Sequence, residues 1–162
     1  MTEINLTVKK LKEKFSNSIL EATTFRGEVT VSVAKGEIFE ICKFLHSDSD
    51  LHYRLLTDLC GLDFFPHTPR FGLVYLLYSM KSNQRLRVKT RVEEMESLPS
   101  VESIWKAANW YERETYDLFG ITFDNHPDLR RIMLWDGFEG HPLRKDYPVE
   151  GPDFDKPFVP EV

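Results

Sequence analysis

Cysteine is almost missing: Cys42 and Cys60 are the only two in 162 residues. A cluster held by four thiolates cannot be built from two, so the chain has no iron–sulfur site of its own by this count. Without a secretion signal both are expected as free thiols packed in the fold. Glycine is sparse as well. The eight present form neither Gly-x-Gly-x-x-Gly nor a P-loop, so the usual nucleotide fingerprints are lacking. Long apolar runs are lacking too. The longest, Phe71 to Met80, is ten residues and includes Gly72, Tyr75 and Ser79, whereas a helix crossing a bilayer takes about twenty. Met1-Thr2-Glu3-Ile4-Asn5 holds no apolar signal core, which predicts neither secretion nor import. Any membrane association is then expected through a partner. Finally, positive charge is in deficit: 21 Lys and Arg against 26 Asp and Glu, net charge −5 and pI about 5.6. Nucleic-acid binding needs a basic surface, so it is not expected as the main role.

Apolar residues make up 41% of the chain and aromatics 13%. One domain of this length buries roughly 70% of the surface its unfolded chain exposes. Asn5 is placed to cap a first helix over Leu6–Phe15, with Leu6, Leu11 and Phe15 on its apolar side. Val29-Thr30-Val31-Ser32-Val33 alternates with period two and predicts a strand. A second helix is predicted over Glu37–Leu45, ended by His46-Ser47-Asp48-Ser49-Asp50. Three strands follow: Tyr53–Asp63, Phe71–Ser79 and Arg85–Val92. The middle one is continuously apolar, the pattern of burial on both faces. The third alternates basic and apolar residues. A short helix is predicted over Val101–Ala108 with Ser100 as N-cap. Another is predicted from Trp110 to Phe119, with Asn109 as N-cap and Gly120 as its left-handed C-terminal residue.

This order predicts an α+β two-layer sandwich, a mixed and mostly antiparallel sheet with helices on one face. Residues 1–123 form the core domain in this reading. Residues 124–162 form a loop-rich segment and an extended, partner-binding tail, since Pro148, Pro152, Pro157 and Pro160 deny it regular structure.

The chemistry-bearing residues crowd near the C-terminal end. Glu112-Arg113-Glu114-Thr115-Tyr116-Asp117-Leu118-Phe119-Gly120 sets four charges in six residues among large apolar ones, and His141-Pro142-Leu143-Arg144-Lys145-Asp146-Tyr147-Pro148 sets three side by side. Such charges are expected to be paired and partly desolvated. Glu112 falls three residues after Asn109, the acid position of a capping box. Glu114 and Asp117 are predicted to share a helix face. Arg113 and Asp117 are four apart in the weaker orientation for a pair, which suggests another partner for Arg113. Arg144 is predicted to fold back onto Glu112 or Glu114 through its planar fork. His126 and His141, each before a proline, match no zinc spacing. Arg130, Arg131, Trp135, Phe138 and Tyr147 are residue types that dominate binding interfaces, with Phe154 and Phe158 as further anchors. A competing reading is a hydrolase or lyase using Glu112 or Glu114 with His126 or His141.

Glu-Arg-Glu-x-x-Asp-Leu-Phe-Gly followed by His-Pro-Leu-Arg-Lys-Asp-Tyr-Pro resembles the thirty-kilodalton (C subunit) family of proton-translocating NADH:quinone oxidoreductase, respiratory complex I. Asp124-Asn125-His126-Pro127-Asp128-Leu129-Arg130-Arg131-Ile132 and, less specifically, Leu59-Cys60-Gly61-Leu62-Asp63 are similar to that family too. The resemblance implies a non-catalytic peripheral-arm subunit. Such a subunit packs on the quinone-site subunit, designated D, and near the iron–sulfur subunits, designated B and I. The resemblance implies no cofactor in this chain, although the complex uses NADH, FMN, iron–sulfur clusters and quinone. Related membrane-bound hydrogenases and other donor dehydrogenases use similar subunits. The short stretch after Tyr147 points to a bacterial or archaeal complex on the cytoplasmic side of the inner membrane.

Overall fold

A computed structural model describes residues 6–150. Asn5, Phe154, Phe158 and most of the proline-rich tail lie outside the described residues.

The chain runs α1 (Leu6–Lys14), β1 (Ile19–Phe25), β2 (Glu28–Val33), α2 (Ile38–Ser47), β3 (Leu55–Asp63), β4 (Phe71–Ser79), β5 (Gln84–Val92), β6 (Ser97–Pro99), α3 (Ala108–Phe119) and β7 (Thr122–Asp124). The five long strands form one sheet in the order β1-β2-β5-β4-β3. Within it, only the β2–β5 pair is parallel. The architecture is therefore the α+β arrangement expected, with a mixed, mostly antiparallel sheet.

One core explains the layering. Val31, Leu73, Tyr75, Leu77 and Val88 point from the sheet into it, and Ile38, Ile41, Cys42 and Leu45 meet them from α2. The α2 side chains recur at helical spacing, so one stripe of the helix is buried. α3 closes against edge strand β3, where the approach is tight. A Cβ on Gly61 would lie 2.7 Å from the Phe119 ring and 3.2 Å from Thr115.

Several elements depart from the sequence reading. β1 is an additional strand, exposed along most of its length, that pairs with β2 through a turn at Arg26 and Gly27, both at positive φ. Residues 101–107 form hydrogen-bonded turns instead of the helix expected over Val101–Ala108. α3 starts earlier than expected, so Asn109 lies inside it and caps nothing. β4 is buried on its core face but only half-buried at Val74, Leu76 and Tyr78 on the other. β6 and β7 form a small parallel pair that brings Ser100 beside Asp124.

Candidate functional site

α3 presents its charges in two directions. Glu112, Arg113 and Asp117 are buried, whereas Glu114 is exposed. Glu114 and Asp117 therefore do not act as one carboxylate pair, contrary to the expectation of a shared face.

Asp117 organises the loop that follows. Its Oδ2 accepts the backbone N–H groups of Ile132 at 3.0 Å, Met133 at 2.7 Å and Leu134 at 3.0 Å. Its Oδ1 takes Arg131 Nη1 at 2.7 Å. Burial alone would push this carboxyl up. The N–H donors of Leu134, Met133 and Ile132, together with the Arg131 guanidinium, outweigh that and hold it below its ordinary value. Arg131 reaches on to the carbonyls of Asp117 and Gly140, at 3.2 and 2.9 Å. Arg113 does not pair with Asp117. It donates to the carbonyls of Arg130 and Arg131, so its better partner is the same loop. Arg130 is different: it is exposed and pairs with its near neighbour Asp128.

Gly120 ends α3 in the left-handed conformation, φ 75°, as the sequence suggested. It also gives room to the returning chain: a Cβ there would lie 2.5 Å from Arg144 Nη2 and 2.6 Å from the His141 ring. His141 donates from Nδ1 to the Asp117 carbonyl at 2.8 Å. Burial and the neighbouring guanidinium groups of Arg144 and Arg131 lower its pKa, against the opposing pull of that carbonyl bond. Pro142 is half-buried beside it. Arg144 does not fold back to Glu112 or Glu114. Its Nε donates to the Phe119 carbonyl at 2.6 Å and its Nη1 pairs with Glu94 at 2.7 Å. The reason is geometric: Glu112 is engaged with Ser100 and Val101, and Glu114 points to solvent.

Glu112 makes no capping box, because Asn109 is not the N-cap. Its Oε2 accepts the Ser100 hydroxyl at 2.6 Å and its Oε1 accepts the Val101 N–H at 2.7 Å. Burial raises the carboxyl to about 7, and these two bonds offset only part of the rise. His126 Nε2 lies 3.9 Å away and donates to the Asn109 carbonyl at 3.2 Å. The two side chains are fully buried. A carboxyl and an imidazole enclosed in this way have no access to a substrate, so this pair lacks the geometry of an acid–base site.

A second knot was not anticipated. Arg70, just ahead of β4, pairs with Asp63 at 3.0 Å, Glu94 at 2.9 Å and Asp146. Asp63 also accepts the Lys145 N–H at 2.9 Å. Burial works against the charge on Asp63, but Arg70 and the N–H groups of Lys145 and Phe65 hold it down to about 2. The available signal was a lone arginine abutting an apolar strand, a charge that needs a partner when buried. The side chain of Lys145 is exposed, and Tyr147 packs against Gly140 and stacks near Phe138.

These bonds leave large apolar groups outside. Trp110, Met133, Trp135 and Leu143 are 52–63% exposed. No cluster of three or more His, Cys, Asp or Glu suited to a metal occurs among the described residues, and no helix there is long and apolar enough to cross a membrane. Burial pushes the Cys42 thiol far up. Burial and Asp58 push Cys60 up to about 12, so both thiols stay protonated at neutral pH.

Fold and site together define an α+β domain whose conspicuous charges build its own loop and expose an aromatic surface around it. The chain belongs to the family of the 30 Kd subunit of respiratory-chain NADH dehydrogenase, whose model matches residues 31–153. It is 54% identical over 154 residues to the NADH-quinone oxidoreductase C subunit of Geotalea uraniireducens, covering 94% of this chain and 93% of that one. The C subunit of Geobacter metallireducens is also 54% identical, with 94% of each chain covered. Among solved structures, a chain of the membrane-bound sulfane sulfur reductase, an archaeal respiratory membrane complex, superposes with TM-score 0.75 at 25% identity. The match covers 88% of this chain and 84% of that one.

Proposed function

We propose that this chain is the C subunit of a proton-translocating NADH:quinone oxidoreductase, a non-catalytic member of the peripheral arm that scaffolds the quinone-site and iron–sulfur subunits. One observation carries the reading: Arg113, Asp117, Arg131 and Arg144 are consumed in holding the loop after α3, while Trp110, Met133, Trp135 and Leu143 stay exposed on the helix and loop. Large aromatic and apolar groups on a rigid frame are what a protein interface requires. The partners in this reading are the quinone-site subunit and the two iron–sulfur subunits, those designated D, B and I. The location is the cytoplasmic face of a bacterial or archaeal inner membrane, and the association with that membrane is peripheral. The chain binds no cofactor itself, in keeping with its two cysteines, too few for a four-thiolate cluster. The motif residues Arg113, Asp117, Arg131, His141 and Arg144 then serve assembly by shaping the loop, and Glu112 by fixing the segment ahead of α3.

A second reading concerns the electron donor. The sulfane sulfur reductase likeness supports an equivalent subunit in another donor-linked respiratory complex, such as a membrane-bound hydrogenase. The much higher identity to chains named for NADH and quinone favours the first.

The test is recovery of the tagged chain from native membranes in mild detergent, with mass spectrometry and an NADH:quinone assay on the eluate. The expected result is a set of iron–sulfur and quinone-site subunits with activity. A chain recovered alone, under conditions that keep the complex intact, overturns the reading. Activity with a different donor selects the second.

A further inference from the structure

β4 is apolar on both faces, yet the described residues cover only one. Leu73, Tyr75 and Leu77 lie in the core, whereas Val74, Leu76 and Tyr78 point away from the helices and are half-buried. This strand sits inside the five-stranded sheet, not at its edge. A sheet that faces water normally presents polar residues there, and a continuously apolar strand is normally covered on both sides.

The neighbouring column is basic. Register places Arg91 opposite Gly72, Lys89 opposite Val74, Arg87 opposite Leu76 and Arg85 opposite Tyr78. On the other flank, β3 sets the exposed Leu62 opposite Gly72. The surface is also shaped. A Cβ on Gly72 would lie 2.7 Å from the Phe64 ring, and the Arg91 guanidinium stacks 3.7 Å from the centre of that ring. A hollow beside them is lined by Leu20, Leu62, Val74 and Lys89.

Four basic side chains in a row stand out on a chain of net charge −5. Arg85 and Arg87 share one carboxylate, Glu28. Arg91 donates to the Pro69 carbonyl. Lys89 has no ion-pair partner among the described residues. An apolar column beside an under-neutralised basic one matches an occupant that is apolar on one side and acidic on the other.

We propose that this outer sheet face docks an acidic amphipathic helix of a neighbouring subunit. Its apolar stripe rests on Val74, Leu76 and Leu62, and its carboxylates lie over Lys89 and Arg87. Alternate residues along the strand recur every 6.6–6.8 Å or so, and an apolar stripe over three helical turns, about 16 Å, spans the column. The inference rests on the reading of the chain as a subunit. It adds a second docking surface, on the sheet face turned away from the helices.

The test uses the wild-type complex. Lysine acetylation is followed peptide by peptide, and a carbodiimide joins Lys89 to any carboxylate it touches. Lys89 is expected to react roughly tenfold more slowly than Lys12, an exposed lysine with no ion pair among the described residues, because an amine held in an ion pair loses its reactive neutral form. Its cross-link is expected to reach an Asp or Glu in a helical segment of another subunit. In a companion variant, Lys89→Glu lowers the share of the chain retained in the complex as salt is raised. Lys89 reacting as fast as Lys12 within a recovered complex overturns the docking proposal alone. So does a cross-link only to this chain, or protection that delipidation abolishes. If the tagged wild-type chain recovers no other subunit, the subunit reading itself falls, and this proposal with it.

Discussion

At the scale of single residues, two buried carboxyls on one helix have opposite roles. Asp117 is ionised and saturated by four donors. Asp117→Asn removes the charge and puts an amide where acceptors are needed. It leaves Arg131 without its carboxylate, so the expected loss is about 3 kcal/mol, the cost typical of breaking a buried pair. Urea denaturation measures it. A loss under about 1 kcal/mol, the range of surface pairs, would show that the loop is held by other means. Glu112 is the reverse case, raised to about 7 by burial among Ser100, His126, Tyr75 and Cys42. Its folded pKa exceeds its unfolded value of 4.5, so the folded state binds the proton more tightly. Its contribution is most favourable below pH 4.5 and declines as pH rises towards 7. Ionised above that, it costs about 3 kcal/mol, taking 1.36 kcal/mol per pKa unit. Glu112→Gln keeps both bonds, the amide oxygen accepting from Val101 and the amide nitrogen donating to Ser100. The variant is expected to match the wild type near pH 4.5 and exceed it at pH 8; equal slopes across that window would refute an energetic role for the carboxyl's ionisation.

At the scale of elements, Gly120 joins the end of α3 to the chain that returns past it. Gly120→Ala forces a Cβ into the left-handed region and against the His141 ring, which the Asp117 carbonyl holds in place. The expected cost is about 2 kcal/mol from backbone strain and displacement of the ring. It is read as a lower urea midpoint, and an unchanged midpoint would mean that the return segment yields freely. Gly120 also shows what was legible beforehand. Elements with strong periodicity and punctuation were plain: α2, β4, β5 and the stop after Phe119. β1 was not, because Leu20-Glu21-Ala22-Thr23-Thr24-Phe25 is a mostly exposed edge strand with no buried stripe to reveal it. Its signal was Gly27, following Arg26 in a two-residue turn at positive φ. The helix predicted over Val101–Ala108 failed for a different reason. Ser100 does accept the Glu102 N–H, as a cap would, and Trp105 gives its N–H to the Val101 carbonyl, but the next bonds, Ala108 to Trp105 and Asn109 to Lys106, span only three residues, so the single turn does not propagate. Competition between partners defeated the Asn109 capping box and the Arg144–Glu112 pair, because Ser100 and Val101 hold Glu112. Sequence spacing identifies which charges need partners, but cannot choose among carboxylates brought together by distant strands.

At the scale of the molecule, the Arg70 knot ties the end of β3, the start of β4, the stretch after β5 and the C-terminal loop at one corner. Asp63 is its buried anion. Its pKa is depressed from 3.8 to about 2, so its stabilisation is present above pH 3.8 and is lost as pH falls through 2. Glu112 acts oppositely, with stability rising as pH falls from 7 to 4.5. These two groups by themselves favour pH 4 to 4.5, whereas His141, whose pKa burial lowers from 6.5, loses stability as pH falls and opposes the Glu112 limb. Arg70→Leu separates them. With the guanidinium gone, Asp63 remains buried beside Asp146 and keeps only the N–H groups of Lys145 and Phe65. Its pKa must rise, since burial now dominates. At pH 7 the variant is expected to lose about 3–5 kcal/mol, as buried charges left unpaired do. On acidification the deficit shrinks, because protonating Asp63 relieves the variant before it harms it. Urea unfolding at pH 3 and pH 7 distinguishes this from simple loss of packing. A packing defect gives one deficit at both values, whereas the knot gives a smaller one at pH 3.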